Sequence, residues 1–202
     1  MFYLVLLISY LLGSINFAIL IAKYKGIDIK KEGSGNPGSS NALRVLGKKY
    51  AAGVLAGDML KGVVCIYLGV YFIGSTNPFI FGLASVLGHC FPAYYKFKGG
   101  KGVATFLGAY LGYLFLVPSE NYTVNLKVFI FVGLLSTFVI IAKLFRVSAI
   151  ASLVTIIASS YFVISDNSDN LIMISTLLTV AIIIFQHRSN IKRLVEGNEN
   201  KF

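Results

Sequence analysis

A chain of 202 residues that is 56% hydrophobic, with a mean hydropathy of +0.78, has room for one compact domain but is too apolar for an ordinary soluble one. The formal net charge of +10 invites a nucleic-acid reading, yet the cations form no continuous stripe and no nucleic-acid-binding motif accompanies them, which excludes nucleic acid as a partner. Cys65 and Cys90 lie inside apolar runs without C-x-x-C or Cys/His ligand spacing, so neither a disulfide framework nor a zinc site is implied.

The first apolar run, Phe2 to Ala22, follows no basic n-region and ends at no clear small-residue cleavage site, so it reads as a retained membrane anchor. After it comes the longest polar connection, Lys23 to Tyr50, holding Gly33-Ser34-Gly35-Asn36-Pro37-Gly38-Ser39-Ser40-Asn41. Its glycines permit a backbone in which several N–H groups converge on one anion. The stretch runs into a helical Ala42-Leu43-Arg44-Val45-Leu46, which Ser39, Ser40 or Asn41 is expected to cap. Arg44, one turn in, offers a two-pronged contact to phosphate. The same residues also suit a plain surface loop before a capped helix.

Two further runs follow, Ala51 to Gly74 and Phe79 to Tyr95. The first places Asp58 and Lys61 three apart, where they can pair on one helix face, and the second carries His89 beside Gly88. Lys96-Phe97-Lys98-Gly99-Gly100-Lys101-Gly102 then precedes the run Val103 to Pro118 and repeats the combination of glycines, cations and a helix start. It is no Walker A loop, because Tyr95 occupies the first glycine position and Gly102 follows the lysine where Ser or Thr is required. A basic interfacial anchor is its alternative reading.

The remaining runs are Val128 to Ala142, Ala149 to Ile164 and Leu171 to Phe185, the middle one preceded by Arg146-Val147-Ser148. Gln186-His187-Arg188-Ser189-Asn190-Ile191-Lys192-Arg193 closes the last. In a continuing helix His187 and Asn190 share a face, as do Asn190 and Arg193. Backbone groups in hydrocarbon must pair internally, so all seven runs are expected to be helices of one transmembrane domain covering residues 1–202.

Lys and Arg crowd alternate connections, whereas the opposite side carries only Lys127 among Glu120, Asp166 and Asp169. By the positive-inside rule the N-terminus lies outside and the C-terminus in the cytoplasm, a parity that needs an odd number of crossings. The three motif-bearing segments then share the cytoplasmic side. No H-x-x-x-x-D, no G-x-S-x-G and no carboxylate pair accompanies them, so the segments are suited to anions and not to metals.

Taken together the segments resemble the acyl-phosphate-dependent glycerol-3-phosphate acyltransferases of bacteria, the PlsY family. Gly33-Ser34-Gly35-Asn36 with Asn41 and Arg44 looks like that family's first motif; Gly88-His89, Phe91-Pro92 and Lys96 through Thr105 look like the second. Gln186 through Ile191 with Arg193-Leu194 looks like the third, and Asp58 to Gly62 and Arg146-Val147-Ser148 also match. The chain departs in having Ser39-Ser40 where an Ala-Thr pair is usual.

The resemblance implies an all-α integral membrane bundle of about seven transmembrane helices in the bacterial cytoplasmic membrane, with its active site on the cytoplasmic side. It implies transfer of a fatty acyl group from acyl phosphate to the first hydroxyl of glycerol 3-phosphate, giving lysophosphatidate and phosphate without metal or cofactor. Ser34, Gly35, Asn36, Asn41, Arg44 and Lys101, with Ser148, would then bind phosphate, and His187 and Asn190 would orient substrate or stabilise the transition state. The proton of the attacking hydroxyl goes either to His187 or to a substrate phosphate. The alternative class is a phosphate or organic-anion transporter, which needs its binding groups near mid-membrane. A purely structural membrane protein is the third class; oligomeric state is not specified by the sequence.

Overall fold

The computed structural model describes residues 1–75, 77–119, 121–166 and 168–201. Glu120, which the sequence places on the outer side, falls outside the described residues. The elements in chain order are α1 (Phe2–Ser14), α2 (Phe17–Tyr24), α3 (Ser39–Leu46), α4 (Lys48–Ile73) and α5 (Phe79–Cys90). A 3₁₀ turn (Ala93–Tyr95) leads to α6 (Val103–Leu116), α7 (Val124–Phe145), α8 (Ser148–Asp166), α9 (Asn170–Gln186) and α10 (Arg188–Val195). The described chain is all-helical, and every apolar run becomes a helix or a broken helix pair.

The runs differ in how they would meet a bilayer. Phe2–Tyr24, Lys48–Ile73, Val124–Phe145 and Ser148–Asp166 are each long and apolar enough to cross, and α9 with α10 forms a further apolar pair bent by 55°. By contrast α5 and α6 are short, at 12 and 14 residues. At 1.5 Å per residue they extend only about 18–21 Å, against a hydrocarbon core of about 30 Å. Short central helices leave a recess at one end of the bundle, and the polar loops fold into it.

The first run corrects the expectation of one continuous helix. It breaks at Ile15, which is extended (φ −67°, ψ 118°), and Asn16, whose side-chain oxygen accepts from the Ile19 N–H at 2.9 Å and caps α2. An asparagine after Gly13-Ser14 competes with the helix for its own backbone hydrogen bonds, and here a capped restart wins. The run over Val128–Ala142 extends to Val124–Phe145, its start capped by Thr123, whereas those over Phe79–Tyr95 and Val103–Pro118 end early, at Cys90 and Leu116.

Packing rests on small residues, as expected where lipid supplies no hydrophobic drive between helices. A Cβ on Gly62 of α4 or Gly108 of α6 would collide with the other helix's backbone, and so would one on Gly13 of α1 or Gly88 of α5. These two crossings bring α4 against α6 and α1 against α5, the most extensive helix pairs of the bundle. Between them lies an aromatic core of Phe79, Phe106, Tyr110 and Tyr113. At the periphery α7 turns Phe129 (75% exposed) and Leu144 (73%) outward, a surface suited to lipid and not to water.

Candidate active site

The segment before α3 is organised by one side chain. Asn41, buried within the first turn of α3, accepts from the Ser34 N–H at 2.8 Å and donates to the Ile29 and Glu32 carbonyls at 3.2 and 2.9 Å. Both amide hydrogens and one lone pair of its oxygen are used within the loop, so Asn41 holds the loop's shape while also lining the cleft described below. Gly33 takes φ +58° and packs so closely on the Asn41 oxygen that a Cβ would collide with it. Gly35, at φ +69°, closes a turn by donating to the Glu32 carbonyl at 3.0 Å and does not line the cleft described below.

The helix that follows is capped by Gly38, with no side-chain cap, which corrects the expectation of Ser39, Ser40 or Asn41 in that role. The helix start therefore carries no side-chain cap, and Gly38, Ser39 and Ser40 at that start line the cleft described below. Arg44, one turn on, reaches the Ser40 and Asn200 carbonyls, each at 3.4 Å. Burial lowers its pKa from the usual guanidinium value, against the opposing effect of Glu199.

The second glycine segment is folded back on the end of α5. The Gly99 and Gly100 N–H groups donate to the Cys90 and His89 carbonyls at 3.2 and 3.1 Å, and Gln186 donates to the Cys90 and Gly100 carbonyls, both at 3.2 Å. Lys30 adds a tie between the two loops by donating to the Lys98 carbonyl at 2.8 Å. This leaves Lys101 at the mouth of α6, where burial pushes its ammonium down to about 8 while Glu199 opposes the shift and Arg193 and Arg44 add to it.

The third segment does not continue α9 as one straight helix. The chain bends by 55° at His187, yet His187 and Asn190 both stay buried, 1% and 5% exposed. His187 Nδ1 lies 2.8 Å from the Ile183 carbonyl, so Nδ1–H donates and Nε2 keeps its lone pair for a hydrogen from a ligand. Asn190 donates to Glu199 Oε1 at 2.7 Å, and Arg193 Nε to Glu199 Oε2 at 2.9 Å.

Ser34, Asn36, Asn41, Arg44, Lys101, Ser148, His187 and Asn190 thus line one cleft of roughly 970 Å³ counting its open mouth. Its polar end is built by the three segments; its other walls are Leu55, Met59, Val103, Leu107, Leu135 and Phe138. Such a cavity can hold an anionic head beside an aliphatic tail. Among the described residues no group of three or more His, Cys, Asp or Glu side chains gathers as a metal site.

Three features of the site escape the motif reading. Glu199 enters it from the C-terminal segment, a lone acid in a stretch that carries no pattern. Asn16 is signalled only as a capping residue inside an apolar run. Asp58 and Lys61 pair as their spacing suggests, at 2.9 Å, but His89 joins them from another helix, with Lys61 Nζ 2.9 Å from His89 Nδ1. His89 stands in the second motif, but its junction with the pair is not visible in periodicity.

Comparison with known proteins agrees with the geometry. The family profile described as glycerol-3-phosphate acyltransferase matches residues 3–197. A glycerol-3-phosphate acyltransferase of Thermoanaerobacter sp. (strain X514) is 41% identical over 196 residues, covering 96% of this chain and 92% of that one. The corresponding protein of Coxiella burnetii (strain Dugway 5J108-111) is 38% identical over 199 residues, covering 97% and 95%. Among solved structures, the crystal structure of PlsY (YgiH), an integral membrane glycerol 3-phosphate acyltransferase, superposes in its glycerol 3-phosphate form with a TM-score of 0.86 at 35% identity, covering 99% of this chain and 94% of that one. Its lysophosphatidic acid form superposes with a TM-score of 0.82 over the same shares.

Proposed function

The chain belongs to the glycerol-3-phosphate acyltransferase family and is an integral, multi-pass membrane protein; from that premise we propose that it moves a fatty acyl group from acyl phosphate to the sn-1 hydroxyl of glycerol 3-phosphate. The products are lysophosphatidate and inorganic phosphate. The observation that carries this reading is the composite cleft: Lys101, Arg44 and the start of α3 at one end, His187 with its lone pair beside them, and an apolar wall continuing from the same space.

The reaction needs little covalent help from the protein, because acyl phosphate is already activated. The glycerol hydroxyl oxygen attacks the acyl carbon, the bond from that carbon to the phosphate oxygen breaks, and the hydroxyl proton leaves with the phosphate. Lys101 and Arg44 neutralise the phosphate charge gathered at the cleft, and Ser34, Asn36 and Ser148 supply polar contacts around it. His187 Nε2 accepts from the attacking hydroxyl and holds it in line, with Asn190 at its side. The proton passes onward to a substrate phosphate, whose ordinary pKa near 6 makes it a competent base at neutral pH.

Asn41 and Gly35 belong to the shaping of the first loop. The acyl chain lies along Leu55, Met59, Leu107 and Phe138 and reaches the cleft from the surrounding lipid. The basic connections support a reading in which this end of the molecule lies at the cytoplasmic face of the bacterial inner membrane, with the N-terminus on the other side. That position serves an enzyme with one water-soluble and one lipidic substrate.

A turnover assay on purified protein offering acyl phosphate, acyl-CoA and acyl carrier protein in parallel, with chelator present, tests the proposal. Lysophosphatidate formed only from acyl phosphate is expected; equal rates from acyl-CoA would overturn the donor. The anion-transport alternative predicts uptake of labelled phosphate into proteoliposomes, and the acyltransferase reading predicts none.

A further inference from the structure

Deep in the bundle, Lys61 of α4 joins three groups, two through hydrogen bonds and one as an ion pair. Its Nζ lies 2.7 Å from the Ile15 carbonyl, 2.9 Å from Asp58 Oδ1 and 2.9 Å from His89 Nδ1, and its side chain is only 4% exposed. An apolar stop in this place would be cheaper, since a buried ion pair carries a large desolvation cost and an apolar replacement often does as well. The partners explain what the arrangement achieves.

The Ile15 carbonyl is free to accept because the first span breaks there, and the next residue, Asn16, donates to the Pro37 carbonyl at 3.1 Å. Pro37 sits in the middle of the first glycine loop. On the other arm, His89 accepts the Gly100 N–H on its backbone carbonyl at 3.1 Å, and a Cβ on Gly100 would collide with His89 Nε2. Gly100 adjoins Lys101. That same absent Cβ would stand 3.0 Å from the Pro37 carbonyl, so the two loops meet where both arms end.

We infer that Lys61, held by Asp58 and joined to Ile15 and His89, is a positioning residue that sets the spacing between the two anion-binding loops. Lys61 itself does not line the cleft, whereas its partners Asp58 and His89 do, so hydrogen exchange in the loops and not KM alone is the deciding readout. Its effect runs through Asn16 to Pro37 in one loop and through His89 to Gly100 in the other, so that Ser34, Arg44 and Lys101 stand at a fixed separation. The effect on turnover rests on the glycerol 3-phosphate reading above; the effect on the loops does not.

The test uses the full-length protein in detergent, comparing wild type with Asp58→Asn/Lys61→Met, which removes both charges together and leaves no unpaired ion. Hydrogen exchange is expected to quicken in residues 33–41 and 96–102 but not in residues 188–195. In the same variant KM for glycerol 3-phosphate is expected to rise about tenfold with kcat within about threefold, the pattern of a lost grip shared by ground and transition states. His89→Leu keeps the ion pair and cuts one arm, so it loosens residues 96–102 alone.

Unchanged exchange in both loops of a folded double variant overturns the inference. So does loosening of both loops with an unaltered KM. If the double variant does not fold, equal loosening of both loops in His89→Leu overturns it, and loosening confined to residues 96–102 supports it. Wild-type protein that does not turn over glycerol 3-phosphate defeats the proposed function, while the exchange comparison still decides this inference.

Discussion

Lys101, half-buried, and Lys127, buried, stand at opposite ends of α6 and face different things. Lys101, before the helix start, looks into the cleft shared with Arg44, His187 and Asn190. Lys127, on α7, donates to the Leu114 and Val117 carbonyls at 2.7 and 3.1 Å, closing the far end of α6. Around Lys127 the other polar groups also turn to the chain: Ser119 donates to Asp166 Oδ1, the Asn121 N–H donates to the same oxygen at 3.2 Å, and Tyr122 shares a hydrogen with Ser165 at 2.6 Å. Burial of charge in a membrane bundle therefore marks two different things. Where donors and acceptors end on helix-terminal carbonyls, the charge closes the fold; where they face a cavity, it is available to a ligand.

The sharpest break of this comparison is a pair of alanine variants. Lys101→Ala is expected to lower kcat/KM by about 10²–10³, the loss typical of one preorganised charge contact, with little change in thermal unfolding in detergent. Lys127→Ala is expected to do the reverse, keeping turnover within about twofold while losing about 1–3 kcal/mol of stability as two carbonyls lose their donor. Loss of turnover in a stable Lys127→Ala protein would erase the distinction.

Proton release sharpens the first half. Burial holds the Lys101 pKa at about 8, so the cation is present below that pH and lost above it. A profile of kcat/KM against pH is expected to fall about tenfold per unit above pH 8. Lys101→Arg, which cannot lose its proton in this range, is expected to remove that limb even if its plateau is lower. A wild-type profile flat to pH 10 would place the needed charge elsewhere.

A smaller effect belongs to groups that hold the shape of the cleft. Asn41→Ala strips three hydrogen bonds from the first loop but removes no charge. KM for glycerol 3-phosphate is expected to rise about tenfold, equivalent to one or two hydrogen bonds' worth of order. An effect as large as that of Lys101→Ala would make Asn41 a direct phosphate contact.

This gradation also shows what was legible in the sequence. Hydropathy found the apolar helices because bilayer length and internal pairing leave few other solutions, and motif order pointed to Ser34, Arg44, Lys101, His187 and Asn190, which line one cleft. The break at Ile15–Asn16 was missed because a single capping residue scarcely alters an apolar average. The resemblance gives Asn41 to phosphate binding, while the bonds it makes to the loop depend on which way its amide points. Glu199 reaches the site from a C-terminal stretch that carries no pattern, and the junction of His89 with Lys61 joins residues 28 apart on different helices, where no periodicity carries information.

The smallest expected effect tests the closed end itself. Tyr122→Phe removes one hydroxyl that pairs with Ser165 Oγ, yet the Tyr122 N–H still donates to Ser119 Oγ at 2.8 Å and the ring still packs on Phe162. With the hydroxyl half-exposed at the loop and its partner able to turn back to the Phe162 carbonyl, the cost is expected to be about 0.5–1.5 kcal/mol. Turnover should be that of wild type across the whole pH range. A change in KM from so slight an edit would mean that the two ends of the bundle are mechanically coupled along α6, and the separation between a closing end and a binding end would give way to one continuous device.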